Sequence, residues 1–222
     1  STVIPPQQAS AGADNSPAPA TGASLSPVPF LAPPELEGKP HFAGTSIAVN
    51  SKFPLATRDA GLLLTNPFLP RLLETTGIKH PQHPTIPEAQ LPRAAALLHY
   101  LVTGNDTLFE HELTLIKVLL GLTPNHSLLV AEGLLQPDDK TETAALLQAL
   151  IDYWGALKTT SIDGLRSSFL HRSGLLRERE NGWWVQVESK PYDMLLNQLP
   201  WSISVVKLPW MQRPIYSEWQ TP

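Results

Sequence analysis

The chain has no cysteine among its 222 residues. Disulfides, thiolate metal sites and cysteine nucleophiles are therefore excluded, which fits a protein made in the cytoplasm. It also lacks a basic block: 16 Lys and Arg against 20 Asp and Glu leave a formal net charge of −4. A nucleic-acid-binding face would need clustered cations, so no nucleic-acid partner is expected. No apolar run approaches the ~20 residues of a membrane span. The first residues carry no basic leader ahead of an apolar stretch, so they do not form a signal peptide. Tryptophan is absent from the front of the chain, whereas five of the six lie in the last forty residues.

Proline is abundant, with 23 residues, of which nine fall before residue 41. The rest of that stretch is mainly Ala, Ser, Gly, Thr and Gln, with only Asp14, Glu35, Glu37 and Lys39 charged. So little apolar surface does not offset the ordering entropy of a chain. Residues 1–45 therefore read as a flexible Pro/Ala/Ser-rich linker, followed by a short β-like run from Ser46 to Val49.

Beyond it the pattern turns helical, with a folded domain over 56–222. Pro70 to Glu74 reads as a short helix ending by Gly77, and His80 to Pro92 as a loop. Pro92 suits a first turn, and Arg93–Thr103 reads as a helix stopped by Gly104. Thr107 and Glu110 have capping-box spacing ahead of Phe109, Leu113, Ile116 and Leu120, with a stop at Gly121. Leu122 to Asp139 reads mostly as loop. A third helix is expected over Thr141–Lys158, burying Leu147, Leu150, Ile151, Trp154 and Leu157. A fourth covers Ser161–Arg172. The period then changes to two. Asn181-Gly182 between apolar-alternating runs is a strong hairpin signal. Pro191–Leu199 reads as a connecting helix, with strands over Ile203–Leu208 and Ile215–Trp219. The expected class is α+β and mostly α: a helical cluster over about 92–172, then a small antiparallel sheet over about 175–219.

Catalytic patterns are thin. His111-Glu112 opens like a zinc-protease motif, yet position 115 is Leu, so two ligands cannot share a helical face. His99 reads as a hydrogen-bonded histidine within a helix. His80 and His83 straddle Pro81 in a loop, where a metal or plain solvent exposure both fit. Asp138-Asp139 has no calcium-loop spacing and is placed to support the positive end of the next helix. Ser167-Ser168 lacks the glycines of a nucleophile elbow, and no glycine-rich phosphate loop occurs. No catalytic residue, cofactor or metal site is expected.

What remains points to contact. Leu199-Pro200-Trp201 recurs as Leu208-Pro209-Trp210. The five late tryptophans are too many for one small sheet to bury completely, so Trp183, Trp184, Trp201, Trp210, Met211 and Trp219 are candidates for a protein interface, with a purely core role as the alternative. Thr160 and Asp163 have cap-like spacing, so Leu157 to Arg166 reads first as a helix–helix corner; the functional alternative is a contact surface from which Lys158 and Arg166 project as further interface candidates.

An ordered set of blocks then carries a resemblance. They are Ala60-Gly61-Leu62-Leu63-Leu64, Asn66 to Leu72, Ala95 to Gly104 and Glu112 to Gly121. Next come Trp154 to Ser161, Gly164 to Leu170, Trp183 to Glu188 and Tyr192 to Leu196. The last runs from Leu199 through Trp210-Met211 to Trp219. Over about 58–219 the chain resembles the tape-measure protein family of extracellular contractile injection systems, the phage-tail-like particles of the antifeeding-prophage and virulence-cassette type. The resemblance implies a non-enzymatic structural protein in the inner-tube lumen that helps set tube length and ties assembly to the baseplate hub or spike. It further implies inner-tube partners, self-association as a trimer or hexamer, no membrane partner, and synthesis in a bacterial cytoplasm before the particle is released. The alternatives are cargo packaged in the tube, an assembly chaperone, or an enzyme with a scattered His/Glu/Asp site.

Length limits that role. A tube of about 1,000 Å would need roughly 670 residues of helix, and a forty-residue linker stretches only to about 140 Å. The chain is thus expected to be the folded terminal end of a ruler, or a compact member without the long rod.

Overall fold

Proline and glycine set most of the element ends in the computed structural model, which describes residues 54–219. The linker over 1–45 and the run from Ser46 to Val49 lie outside the described residues. The chain enters with strand β1, Leu55–Thr57, and a 3₁₀ segment, Ala60–Thr65. Helix α1 spans Leu69–Thr75 with Pro70 in its first turn. Helix α2 spans Leu91–Thr103 and stops at Gly104 in the left-handed conformation (φ 71°), as its punctuation predicts.

The second expected helix is shorter than its periodicity suggests. A 3₁₀ turn covers Glu110–Glu112, and helix α3 only Thr114–Leu119. Thr107 does not cap it; its N–H instead bonds Asn105 Oδ1 at 3.1 Å, and Phe109 is 55% exposed rather than buried. Helix α4 starts earlier than expected, at Pro137, and ends at Tyr153. Asp139, in its first turn, accepts the Gln136 N–H at 2.8 Å, which confirms the end-supporting role read from Asp138-Asp139. Helix α5 covers Ile162–Leu165 and runs into a π-turn over Arg166–Leu170. Its cap is Ser161, whose Oγ accepts the Gly164 N–H at 3.0 Å, rather than Thr160.

Strands β2, Gly174–Arg179, and β3, Gly182–Val187, form the expected hairpin. Arg179 pairs with Gly182, so the loop is Glu180-Asn181 and the glycine is the first residue of β3. Gly182 has φ 151°, and a Cβ there would lie 2.4 Å from Pro214 O, so no side chain fits. A 3₁₀ helix over Pro191–Gln198 leads to β4, Val205–Val206, and β5, Ile215–Trp219. The sheet order is β1-β2-β3-β5-β4. Three pairings are antiparallel, but β3 and β5 run parallel, where an all-antiparallel sheet was expected. A parallel neighbour needs a long crossover, and the segment from Val187 to Ile215 supplies one.

The α+β class holds, with one apolar core between the helical layer and the inner sheet face. Leu176, Val185, Val187, Val206 and Ile215 line that face, each at most 2% exposed. The 60–65 segment packs on β3 and on the π-turn. A Cβ on Gly61 would come within 1.9 Å of Phe169 O, so this contact requires glycine.

Two ion pairs are buried within the fold. Arg93 on α2 makes a two-pronged contact with Asp139 on α4, at 2.9 and 2.6 Å. Arg172 does the same with Asp193, at 2.9 and 2.8 Å, and both side chains are at most 1% exposed. Arg172 also donates to Ser168 O and Glu188 O. Truncation of one partner leaves the other charge buried and alone. Arg172→Ala is expected to lower unfolding free energy by about 3–5 kcal/mol, read from urea denaturation, whereas replacing Arg172 and Asp193 together by Met and Leu costs clearly less.

Candidate interaction surface

Each tryptophan ring carries one N–H that wants an acceptor when buried, and the fold supplies acceptors at helix ends. Trp201 donates to Leu64 O at 2.9 Å, and Trp210 to Leu119 O at 2.8 Å. The repeated Leu-Pro-Trp thus does the same work twice. Leu64 lies near the end of the 60–65 segment, and residue 67, three further on, is proline and has no N–H to offer. Leu119 is the last residue of α3. Trp154, fully buried, donates to Leu195 O at 3.1 Å and meets Phe169 edge-on at 4.8 Å.

These placements change the expected interface. Trp183, Trp210 and Met211 are core residues, 8%, 7% and 5% exposed. Trp219 is half-buried on the inner face, with the Arg172 guanidinium 5.6 Å from its ring. Trp201 is half-buried against Phe68, ring centroids 5.2 Å apart. Arg166 does not project: it turns inward to Leu101 O at 3.1 Å and Tyr100 O at 3.3 Å, at the end of α2. Lys158 is exposed. Sheet pleating sends alternate residues to opposite faces, so the core absorbs far more of the aromatic end than expected.

Trp184 is the exception, because it faces outward. Its ring stacks on Tyr216 with centroids 4.9 Å apart and planes 23° apart. The Arg179 guanidinium covers its neighbouring side at 4.2 Å. Register aligns Arg177, Trp184, Tyr216 and Val205 in one row across four strands. Leu175 and Val205 are exposed, and Arg177, Arg179, Trp184, Gln186 and Tyr216 are half-buried. Aromatic and arginine side chains are enriched at the centres of protein interfaces. Sequence reading missed Arg177, Arg179 and Tyr216; strict alternation with Trp184 along β2 and β5 was the available signal. The most exposed large apolar side chains among the described residues lie off the sheet: Leu129 at 88%, Met194 at 62% and Phe109 at 55%.

Among the described residues the titratable groups form no catalytic arrangement. His80 and His83 have ring centroids 5.4 Å apart, but among the described residues no group of three or more potential ligands could hold a metal. His99 Nε2 lies 3.1 Å from Thr107 O, as a hydrogen-bonded helical histidine should, and burial holds its pKa below the ordinary value. His111 and Glu112 sit on the 110–112 turn, lining a shallow cleft with Ala56, Thr57 and Arg58. Beside it Asp59 is 2% exposed, with Oδ2 unpartnered. Burial, reinforced by Glu112 and opposed by Arg58, pushes its carboxyl up to about 7.

Two outcomes are expected. Trp210→Ala opens a cavity and orphans Leu119 O, lowering stability by about 3–5 kcal/mol, whereas outward-facing Trp184→Ala costs about 1 kcal/mol or less, both read from denaturant midpoints. For Asp59 the raised folded pKa means that the native state holds a proton which the unfolded chain releases. Its contribution is therefore neutral below the ordinary value of 3.8 and becomes a growing penalty up to about 7, reaching about 4 kcal/mol. Asp59→Asn should remove that loss, so the stability difference between the two proteins grows from pH 4 to pH 7 in thermal or urea melts.

A family model described as contractile injection system tape measure protein matches residues 11–219. Searches among curated proteins and among solved structures give no match. With nearly the whole chain covered, the protein belongs to the contractile injection system tape measure family, and its role is structural.

Proposed function

We propose that this chain resides in the inner-tube lumen, helps to set tube length, and anchors to the baseplate hub or spike through the outer sheet face. The family match over residues 11–219 supports the general role. The observation that carries the anchoring is the Arg179–Trp184–Tyr216 stack, which lies half-exposed on the outer sheet face, whereas Trp183 and Trp210 are buried and Trp201 and Trp219 pack half-buried against the core.

Dimensions support an anchor rather than a measuring rod for the described part. Its longest helix, α4, has 17 residues, which span about 26 Å. Length measurement on the scale of a tube requires many such units in extended form. A rigid domain that grips hub and inner-tube subunits, in trimeric or hexameric copies to match a symmetric particle, meets the requirement of a fixed starting point. Production in the bacterial cytoplasm and release with the finished particle complete this reading.

The test is made in particles. Trp184→Ala combined with Tyr216→Ala, shown to be folded by circular dichroism, should lose the chain from purified particles and yield absent or irregular tubes by electron microscopy. Tubes of normal length that retain the double variant would overturn anchoring by this face.

A further inference from the structure

We infer that residues 27–37 of this same chain, Pro27-Val28-Pro29-Phe30-Leu31-Ala32-Pro33-Pro34-Glu35-Leu36-Glu37, dock across the outer sheet face, the apolar and proline rings against the Trp184–Tyr216 ledge and the two carboxylates against Arg177 and Arg179. The inference concerns the face assigned to anchoring and is tested without the particle, so either reading can fail alone.

Three observations select this occupant. The first is chemical fit. Proline-rich segments recognise surfaces of aromatic rings, because the preformed polyproline conformation loses little entropy on binding. The ledge offers two stacked rings flanked by exposed Leu175 and Val205. Phe30 is the one aromatic residue in the first forty, and it sits between Pro29 and the Pro33-Pro34 pair.

The second is charge. Arg177 and Arg179 point to the outer face from β2, and among the described residues Arg177 has no ion-pair or hydrogen-bond partner for its side chain. The first forty residues hold three carboxylates, and two of them, Glu35 and Glu37, follow this proline cluster directly. A carboxylate–guanidinium contact at a half-buried site adds specificity to an otherwise apolar packing.

The third is reach. The chain enters the fold at β1, the edge strand two positions from β3, a lateral distance of about 10 Å. The 17 residues from Glu37 to Pro54 extend to about 56 Å, so the tether covers the distance with slack. A tether of this length supplies a millimolar-range effective concentration. Even a weak contact is then populated within one molecule, ahead of a second copy at ordinary protein concentration.

The absence of cysteine gives a clean experiment on the full chain. Ala32→Cys with Gln186→Cys places one thiol in the segment and one on the outer face beside Trp184. Ala43→Cys with Gln186→Cys is the control, with a shorter tether. An undocked tether favours the control, because nearer residues meet more often. Docking reverses that order: the Ala32 pair should form its intramolecular disulfide about tenfold faster than the Ala43 pair. Glu35→Lys with Glu37→Lys should abolish the advantage, and adding Arg177→Glu with Arg179→Glu should restore it. Equal rates, a faster control, or a covalent dimer in place of the monomeric disulfide would overturn the inference.

Discussion

Short helices have a structural problem that long ones do not: most of their carbonyls lie in a last turn without an intrahelical partner. In this protein α3 has six residues and α1 seven, so unsatisfied carbonyls would accumulate inside the core. The fold answers with side-chain donors from distant segments. Arg93 reaches Thr76 O at the end of α1, Arg166 reaches Leu101 O near the end of α2, Trp201 reaches Leu64 O and Trp210 reaches Leu119 O. Each bond joins segments far apart in sequence. These bonds add directional ties to the apolar packing of the helical layer, and two of them come from the late tryptophans.

That constraint explains why the aromatic end offers so little to a partner. An indole that must cap a buried carbonyl is not free to insert elsewhere. Trp184 escapes because β3 alternates and its position falls on the outer face, where Arg179 and Tyr216 hold its ring in place. The stack combines rigidity with exposure, the two properties an anchor residue needs.

Local features of the fold were legible, and non-local ones were not. Gly104 and Gly121 marked helix ends because a left-handed residue terminates a helix whatever surrounds it. Alternation at Val185 and Val187 marked the buried side of β3. The parallel pairing of β3 with β5 was hidden, since nothing in either strand encodes the direction of a neighbour reached through a long crossover. Strand β1 was missed because three residues carry no period. Arg166 looked like a surface charge, because sequence spacing does not reveal that Tyr100 O and Leu101 O lie within its reach. The late tryptophans were singled out as interface candidates with a core role as the alternative, and their division between core and surface depended on acceptors that only the folded chain assembles.

The strand directions have a mechanical corollary. Because β1 is antiparallel to β2, β2 to β3, and β3 parallel to β5, the entering strand and the leaving strand point the same way. Tension between the two ends therefore draws β1 and β5 along their own axes in opposite senses. Backbone rungs loaded this way share the force together instead of parting one after another like a zip. A domain wired in this manner resists stretching along the chain.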